Sequence, residues 1–143
     1  FTGTIQGNGH TFNNINLVQT NNSKLNAGLF GQLSETARLS DLTFKNVTFT
    51  VKSGTRVAGT AYGLLAGVIS EKTHLKAVNI LESTLQIDSG CYFGTDDYTI
   101  GLLCGMGVAA VDTAEISCVA SGNNPEKVVI SVTDGTVTVS FAD

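Results

Sequence analysis

The sequence predicts an all-β fold, a right-handed parallel β-helix of about four irregular coils that ends in a C-terminal β-hairpin. Strand- and turn-forming residues dominate the composition, one apolar phrase recurs at a nearly constant interval, and short segments alternate apolar with polar residues. In a β-helix, equivalent residues of successive coils stack inward at about the 4.8 Å strand spacing, which accounts for all of these features.

The composition leans towards strands and turns. The 143 residues are enough for one domain with a core, and 42% of them are hydrophobic. Charged residues make up 14%, well below the usual level of about 25%. Asn, Thr, Ser and Gly take the polar positions instead, and these residues favour tight turns or, for Thr, strands.

The repeat begins with a glycine-bounded apolar phrase that occurs three times, as Gly28-Leu29-Phe30-Gly31, Gly63-Leu64-Leu65-Ala66-Gly67 and Gly101-Leu102-Leu103-Cys104-Gly105. The first glycines of the phrases are 35 and 38 residues apart. A solenoid explains why matched strands return at this interval, whereas a sandwich does not. The glycines are expected to mark corners or close contacts between coils.

A second set of segments supplies inward columns. Stacking them predicts the columns Phe12, Leu39, Leu75 and Thr113; Ile15, Leu42, Val78 and Ile116; and Leu17, Phe44, Ile80 and Cys118. A constant shift of 36 residues also matches Val47, Phe49 and Val51 with Ser83, Leu85 and Ile87. These segments are too short and too rich in β-branched residues for helices.

The coils are predicted to span residues 1–120, with loops protruding at Lys52–Thr60 and Ser89–Tyr98. Residues 121–143 depart from the repeat and are predicted to form a turn and a β-hairpin around Asp134-Gly135. This hairpin either caps the end of the coils or donates a strand to a neighbouring chain. Phe1 already lies in a segment with strand character, which indicates a processed product or a fragment.

The opening Phe1-Thr-Gly-Thr-Ile5-Gln-Gly7-Asn8-Gly9-His10-Thr11-Phe12-Asn-Asn-Ile15, followed by Gly28-Leu29-Phe30-Gly31, resembles the GLUG-motif proteins. These are repetitive bacterial surface and secreted β-helix proteins, which include non-catalytic regions of IgA-cleaving peptidases and predicted adhesins. The resemblance covers residues 1–50 most clearly, weakens over 60–120 and is absent from the hairpin. It implies a scaffold at the cell surface or outside the cell and carries over no catalytic residue.

Charge and cysteine usage exclude several functions. The net charge is −4 and the eight basic residues are scattered, so no nucleic-acid-binding surface is predicted. No apolar run approaches the roughly 20 residues of a membrane span. Cys91, Cys104 and Cys118 match no zinc or redox spacing. Cys118 is expected to be a small buried hydrophobe, with a disulfide to Cys104 as the alternative.

No catalytic constellation or cofactor site is predicted, so the chain is expected not to be an enzyme. His10 is expected to support its turn by hydrogen bonding, and His74 to be an exposed strand residue. Asp96 and Asp97 lie in a loop that is able to hold calcium through oxygen ligands, although a solvated turn is the more ordinary interpretation. Sequons begin at Asn21 and Asn46, and such triplets also arise by chance in an Asn- and Thr-rich chain.

The predicted function is that of an extracellular or cell-surface structural module, an adhesin segment or a self-assembling subunit. Its partners are expected to be further copies joined end to end, other surface proteins or glycans. The interface is predicted at the two ends, on Phe1, Thr2, Ile5, Val137, Val139 and Phe141. Two alternatives remain. The first is a carbohydrate-binding or polysaccharide-degrading β-helix that uses the Lys52–Tyr62 and Ser89–Tyr98 loops, with their tyrosines as a sugar-stacking surface. The second is the spacer region of a larger secreted enzyme.

Overall fold

The computed structural model describes residues 1–20, 26–88, 90–92, 98–101, 103–106, 110–111, 120–122, 128–133 and 136–141. Within these residues the chain forms strands and turns and no helix, which confirms the all-β prediction. The strands are β1 (Thr4–Asn13), β2 (Asn16–Gln19), β3 (Phe30–Leu33), β4 (Arg38–Lys45), β5 (Thr48–Val51), β6 (Ala61–Gly63), β7 (Ala66–Ile69), β8 (His74–Leu81), β9 (Thr84–Ile87), β10 (Tyr98–Gly101), β11 (Cys104–Met106), β12 (Ala110–Val111), β13 (Ala120–Gly122), β14 (Val128–Thr133) and β15 (Thr136–Phe141).

The strands form four small, mainly parallel sheets. The first has the order β1-β4-β8-β12, the second β2-β5-β9-β14-β15, the third β3-β7-β11 and the fourth β6-β10-β13. Parallel neighbours in a sheet are separated in sequence by strands of the other sheets, as parallel pairing requires, whereas the antiparallel neighbours β14 and β15 are consecutive. Antiparallel pairing occurs only near the C-terminus of the described chain, between β10 and β13, β9 and β14, and β14 and β15.

The predicted shift of 36 residues is confirmed between the middle strands of the first two sheets. The register pairs Leu39 with Leu75, Leu42 with Val78, Phe44 with Ile80, Phe49 with Leu85 and Val51 with Ile87. Most of these side chains are at least nine-tenths buried and belong to one core cluster, while Ile80 packs against it from a partly exposed position. The inward columns therefore form where the apolar pattern predicts them.

The predicted alignment of the N-terminal segment with the residues of β4 and β5 is wrong by five residues. Phe12 lies opposite Phe44 and Leu17 opposite Phe49, whereas the pattern had matched these two residues with Leu39 and Phe44. The position opposite Leu39 is taken by Ile5. The error has a simple cause, because the spacing of Phe12, Ile15 and Leu17 recurs twice in the next segment, at 39–44 and at 44–49.

A similar correction applies at β12. Val111 lies opposite Leu75, two residues before Thr113, the residue that the pattern had placed there. The remaining predicted members of those columns, Ile116 and Cys118, lie outside the described residues.

Left-handed backbone conformations explain an irregular spacing in β4 and β8. Successive inward residues there are three apart, whereas a regular strand places them two apart. Asp41 and Ala77 both have φ = 53° and occupy the same position within β4 and β8. A residue in this region interrupts the alternation of a strand, so that Leu39 and Leu42 both face the core. Asn14, Asn46 and Glu82 have φ between 49° and 59° and mark the corners that precede β2, β5 and β9.

The first of the two loops expected to protrude is exposed at Lys52–Gly54, but most of it from Thr55 onward is part of the core. Thr55, Val57, Ala58 and Thr60 are each no more than 3% exposed. Their segment lies beside the backbone of Tyr92, which donates to the Thr55 carbonyl at 2.9 Å and accepts from the Val57 amide at 2.8 Å. The segments 52–60 and 90–92 therefore stack on each other like the strands around them.

The glycines of the repeated phrase lie where neighbouring backbones approach closely, as predicted. A Cβ atom at Gly63 would lie 2.6 Å from the Cα atom of Cys104, and one at Gly67 would lie 2.6 Å from the Ala27 amide nitrogen. Real Cβ atoms do not approach other atoms so closely, so these positions exclude a larger residue unless the backbone moves.

The C-terminal strands change direction. β14 lies antiparallel on β9, with Ile130 opposite Leu85, and β15 lies antiparallel on β14, with Val139 opposite Ile130. The predicted turn Asp134-Gly135 lies outside the described residues. Because β15 follows two antiparallel steps from β9, it runs in the same direction as β9, β5 and β2.

Candidate functional site

The N-terminal segment exposes three large apolar side chains, of which Phe12 lies opposite the buried Phe44. Phe1, Phe12 and Val18 are 45%, 49% and 51% exposed. Ile5 and Leu17 are partly buried and pack against the core. β1 and β2 are the outermost strands of the first and second sheets, and no other described strand pairs with their outer edges.

This edge is held in a defined conformation. The Phe12 ring stacks on Phe44 with centroids 5.5 Å apart, and the Phe1 ring contacts Phe30 at 5.3 Å. The Thr36 hydroxyl donates to the Thr2 carbonyl at 2.9 Å. Three of the predicted interface residues lie at this end. Phe1 and Thr2 are exposed, although the ring contact and the hydrogen bond hold them in place, and Ile5 is half-buried.

The edge carries no ionisable side chain of the kind that blocks strand pairing. Residues 1–19 include no Asp, Glu, Lys or Arg. Natural edge strands commonly resist pairing through lysines, prolines or inward-pointing charges. His10 is engaged locally, because its Nδ1 lies 2.8 Å from the Gly7 carbonyl oxygen, as predicted for a residue that supports its turn.

The other end of the second sheet terminates in β15. The predicted interface residues Val137, Val139 and Phe141 lie on this strand, opposite Val132, Ile130 and Val128 of β14. β14 and β15 also lack charged residues. The two predicted sets of interface residues therefore lie in different places: Ile5 is on β1 of the first sheet, whereas the edge of the second sheet opposite β15 is β2.

The tyrosines do not form the three-residue stacking surface of the carbohydrate-binding alternative. Tyr62 is fully buried in β6, where its ring lies 5.9 Å from that of Phe49 and burial raises its pKa. Tyr92 is 55% exposed, and the Arg56 guanidinium lies over its ring, 5.3 Å from the ring centroid. The calcium candidates Asp96 and Asp97 lie outside the described residues.

Among the described residues no group of three or more His, Cys, Asp or Glu side chains is arranged to hold a metal ion. Two carboxylates form exposed ion pairs with residues distant in sequence, Glu35 with Lys72 and Glu82 with Lys45, each at 3.5 Å. His74 is exposed on β8, as predicted. No helix in the described part of the chain has the length and apolar character needed to cross a bilayer.

Cys91 is half-buried, and its thiol lies 3.2 Å from the Lys52 carbonyl oxygen. Burial, followed by the nearby Asp88 carboxylate, raises its pKa to about 11. The thiolate is the nucleophilic form, so little of it is present at neutral pH. Cys104 is buried in β11.

An asparagine pair at the first corner was not predicted. Asn46 Nδ2 donates to Asn14 Oδ1 at 2.7 Å, which joins the corners that precede the neighbouring strands β2 and β5. The corners are also tied by backbone bonds, since Asn14 N donates to the Lys45 carbonyl and Asn46 N to that of Leu81, both at 3.0 Å. The spacing of 32 residues between these asparagines equals that between Phe12 and Phe44, so the correct register would have revealed the pair.

A groove of about 300 Å³ lies beside this pair on the surface. It is lined by Asn14, Ile15, Asn16, Asn46 and Thr48. Asn46 is exposed, whereas Thr48 is half-buried and lies opposite Asn16 in the sheet. The groove thus brings together three side-chain amides and the hydroxyl of the Asn46 sequon. Asn21, the other sequon residue, lies outside the described residues.

Fold and surfaces together define an all-β protein of small parallel sheets with one uncharged apolar edge. No protein-family model matches the chain, and no solved structure matches it. A segment of 79 residues, 55% of the chain, is 38% identical to halomucin from Haloquadratum walsbyi. That segment spans 1% of the length of halomucin.

Proposed function

We propose that the chain is an extracellular or cell-surface structural module that folds as a right-handed parallel β-helix and associates end to end. The exposed apolar edge of β1 and β2, with no charged residue to block pairing, is the observation that carries this proposal. The resemblance to GLUG-motif proteins favours the same kind of scaffold. The proposal that it acts without catalysis rests on the sequence pattern.

The β-helix is supported by the pairing pattern. Parallel neighbours in the first two sheets are offset by 36 residues in the middle of the chain, and β11 follows β7 at an offset of 38. A chain that returns to the same sheet at a nearly constant interval traces a coil. Parallel strands of one sheet are joined by right-handed crossovers in about 98% of cases, which supports the right-handed form.

The location is supported by the partial match to halomucin, which is a mucin by its name. A chain that is 14% charged and rich in Asn, Thr, Ser and Gly also fits a repetitive surface scaffold better than a compact enzyme.

For the association, the partner that the geometry favours is a second copy. β15 at one edge of the second sheet runs in the same direction as β2 at the other edge. A copy stacked on the end of the first in the same orientation would therefore place its β2 parallel to β15. Such strand addition supplies backbone hydrogen bonds to both edges and covers Val18, which is 51% exposed.

Light scattering and electron microscopy of the intact chain test this proposal. We expect a molar mass that rises with concentration, and short filaments. Deleting residues 136–143 and, separately, Val18→Lys should each return the chain to a monomer. Thr50→Lys is the matched control, because Thr50 lies opposite Val18 on the interior strand β5. A monodisperse monomer at every concentration, or assembly that survives both changes, would overturn end-to-end association.

The carbohydrate-binding alternative is favoured by one observation, the Tyr92 ring, which is 55% exposed although the Arg56 guanidinium lies over one of its faces. Aromatic rings with a polar neighbour are suited to sugar stacking. A glycan array and a polysaccharide depolymerisation assay test it, with Tyr92→Ala as the variant. Binding that Tyr92→Ala abolishes would support this alternative, and silence in both assays would remove it.

A further inference from the structure

We infer that Asn46 is an N-glycosylation site, and that the groove beside it accommodates the first sugar. The inference does not depend on end-to-end association. It starts from the triplet Asn46-Val47-Thr48, which has the Asn-x-Thr form of an acceptor, and the structure adds three observations that the triplet alone does not contain.

The first observation is the position of Asn46. It is exposed at a corner between β4 and β5 with φ = 55°, a conformation that asparagine tolerates better than most residues. Its backbone amide is held by the Leu81 carbonyl at 3.0 Å. The side chain therefore projects from a surface turn whose backbone is already satisfied, and a large substituent there displaces no core residue.

The second observation is the hydrogen bond from Asn46 Nδ2 to Asn14 Oδ1 at 2.7 Å. A side-chain amide nitrogen has two protons, and the bond to Asn14 uses one of them. Glycosylation removes one proton and leaves one, so the modified amide retains a donor for Asn14 Oδ1. A bond from that donor to Asn14 would hold the attached sugar against the neighbouring strands.

The third observation is the groove of about 300 Å³, which adjoins the acceptor amide. Asn14, Asn16 and Thr48 line it with amide and hydroxyl groups, and Ile15 adds an apolar wall. Amides and hydroxyls both donate and accept, so they match the hydroxyl groups of a sugar ring. The second predicted acceptor, Asn21, lies outside the described residues, so the structure distinguishes only Asn46.

The reaction joins Nδ2 of Asn46 to the anomeric carbon of an oligosaccharide that is activated as the phosphate ester of a lipid carrier. The carbon–oxygen bond to the phosphate breaks, the lipid phosphate leaves, and Nδ2 gives up one proton. The donor and the transferase come from the secretory pathway of the producing cell, and the chain supplies the acceptor.

The experiment is mass spectrometry of the full chain, secreted by a host that attaches N-glycans to Asn-x-Ser/Thr. Lys45 and Lys52 flank the sequon, so trypsin releases residues 46–52 separately from a peptide that ends at Lys24 and contains Asn21. Where a glycan hinders cleavage at Lys45, the peptide begins after Arg38 instead. Enzymatic release of the glycan should leave aspartate at position 46.

Matched variants separate modification from folding. Thr48→Ser keeps the sequon and should keep the glycan, whereas the isosteric Thr48→Val should abolish it. Asn46→Asp provides a second loss variant, since aspartate also tolerates the left-handed corner. Circular dichroism checks that each variant folds. A secreted wild-type chain whose 46–52 peptide is entirely unmodified, or a glycan that persists at Asn46 in Thr48→Val, would overturn the inference.

Discussion

The same apolar pattern has different consequences in the edge strand β1 and in its interior neighbour β4. Phe12 and Phe44 lie opposite each other in the first sheet, yet Phe12 is 49% exposed and Phe44 is 6% exposed. Phe44 has Ile80 on its other side, whereas no described strand covers Phe12. Burial in a parallel sheet therefore depends on having a neighbouring strand on both sides, and β1 keeps a core-type residue on an open edge.

The largest expected effect comes from truncating this column. Phe44→Ala removes a buried ring and should lower the free energy of unfolding by about 3–5 kcal/mol. Phe12→Ala should cost about 1 kcal/mol, because half of that ring is already in water. Urea unfolding at a concentration where the chain is monomeric measures both. Equal losses of unfolding free energy for the two variants would contradict the difference in burial between Phe12 and Phe44.

The next effect concerns close approach at matched glycines. Gly67→Ala would place a Cβ 2.6 Å from the Ala27 nitrogen and should cost about 2–3 kcal/mol through overpacking. Gly31 adjoins Phe30, which lies opposite Ala66, but a Cβ at Gly31 would meet only the Asn26 carbonyl oxygen, at 3.1 Å. Gly31→Ala should cost less than about 1 kcal/mol. Thermal unfolding of the two variants tests whether the edge strand β3 is as tightly packed as the middle strand β7.

These contrasts show what the sequence was able to predict. The inward rows of β4 with β8 and of β5 with β9 were predictable because large apolar residues fill them and the shift of 36 residues is constant. The N-terminal segment was misaligned because the apolar spacing of Phe12, Ile15 and Leu17 recurs twice further along the chain, at 39–44 and at 44–49. Neither the burial of Thr55 and Thr60 nor the pairing of β14 on β9 was predictable, since small polar residues resemble a loop and the position of the hairpin depends on tertiary contacts.

The candidate surfaces were predictable to a similar extent. The sequence indicated both ends and the Asn46 triplet, because uncharged strands and sequons are local features. The bond from Asn46 to Asn14 and the groove beside it depend on register, which is non-local. The burial of Tyr62 depends on register as well, since its ring packs against Phe49 across the core.

The smallest effect is a gain in stability at an interior strand. Ala77 holds a left-handed conformation opposite Asp41, and this conformation costs a non-glycine residue roughly 1–2 kcal/mol. Ala77→Gly relieves that strain and should raise the free energy of unfolding by about 0.5–1 kcal/mol, after the entropy that glycine loses on folding. Lys76→Gly, at the neighbouring exposed position, is the control and should lower it by a similar amount. A loss at both positions would contradict the role assigned to Ala77.

Amide hydrogen exchange measured as a function of protein concentration tests end-to-end association most directly. Protection of the β2 amides that face its open edge, those of Asn16 and Val18, should rise as concentration increases, because a neighbouring copy pairs with that edge. Protection of β5, Thr48–Val51, should stay constant, because both of its edges are already paired within one chain. Protection of β2 that is low and independent of concentration would contradict the account.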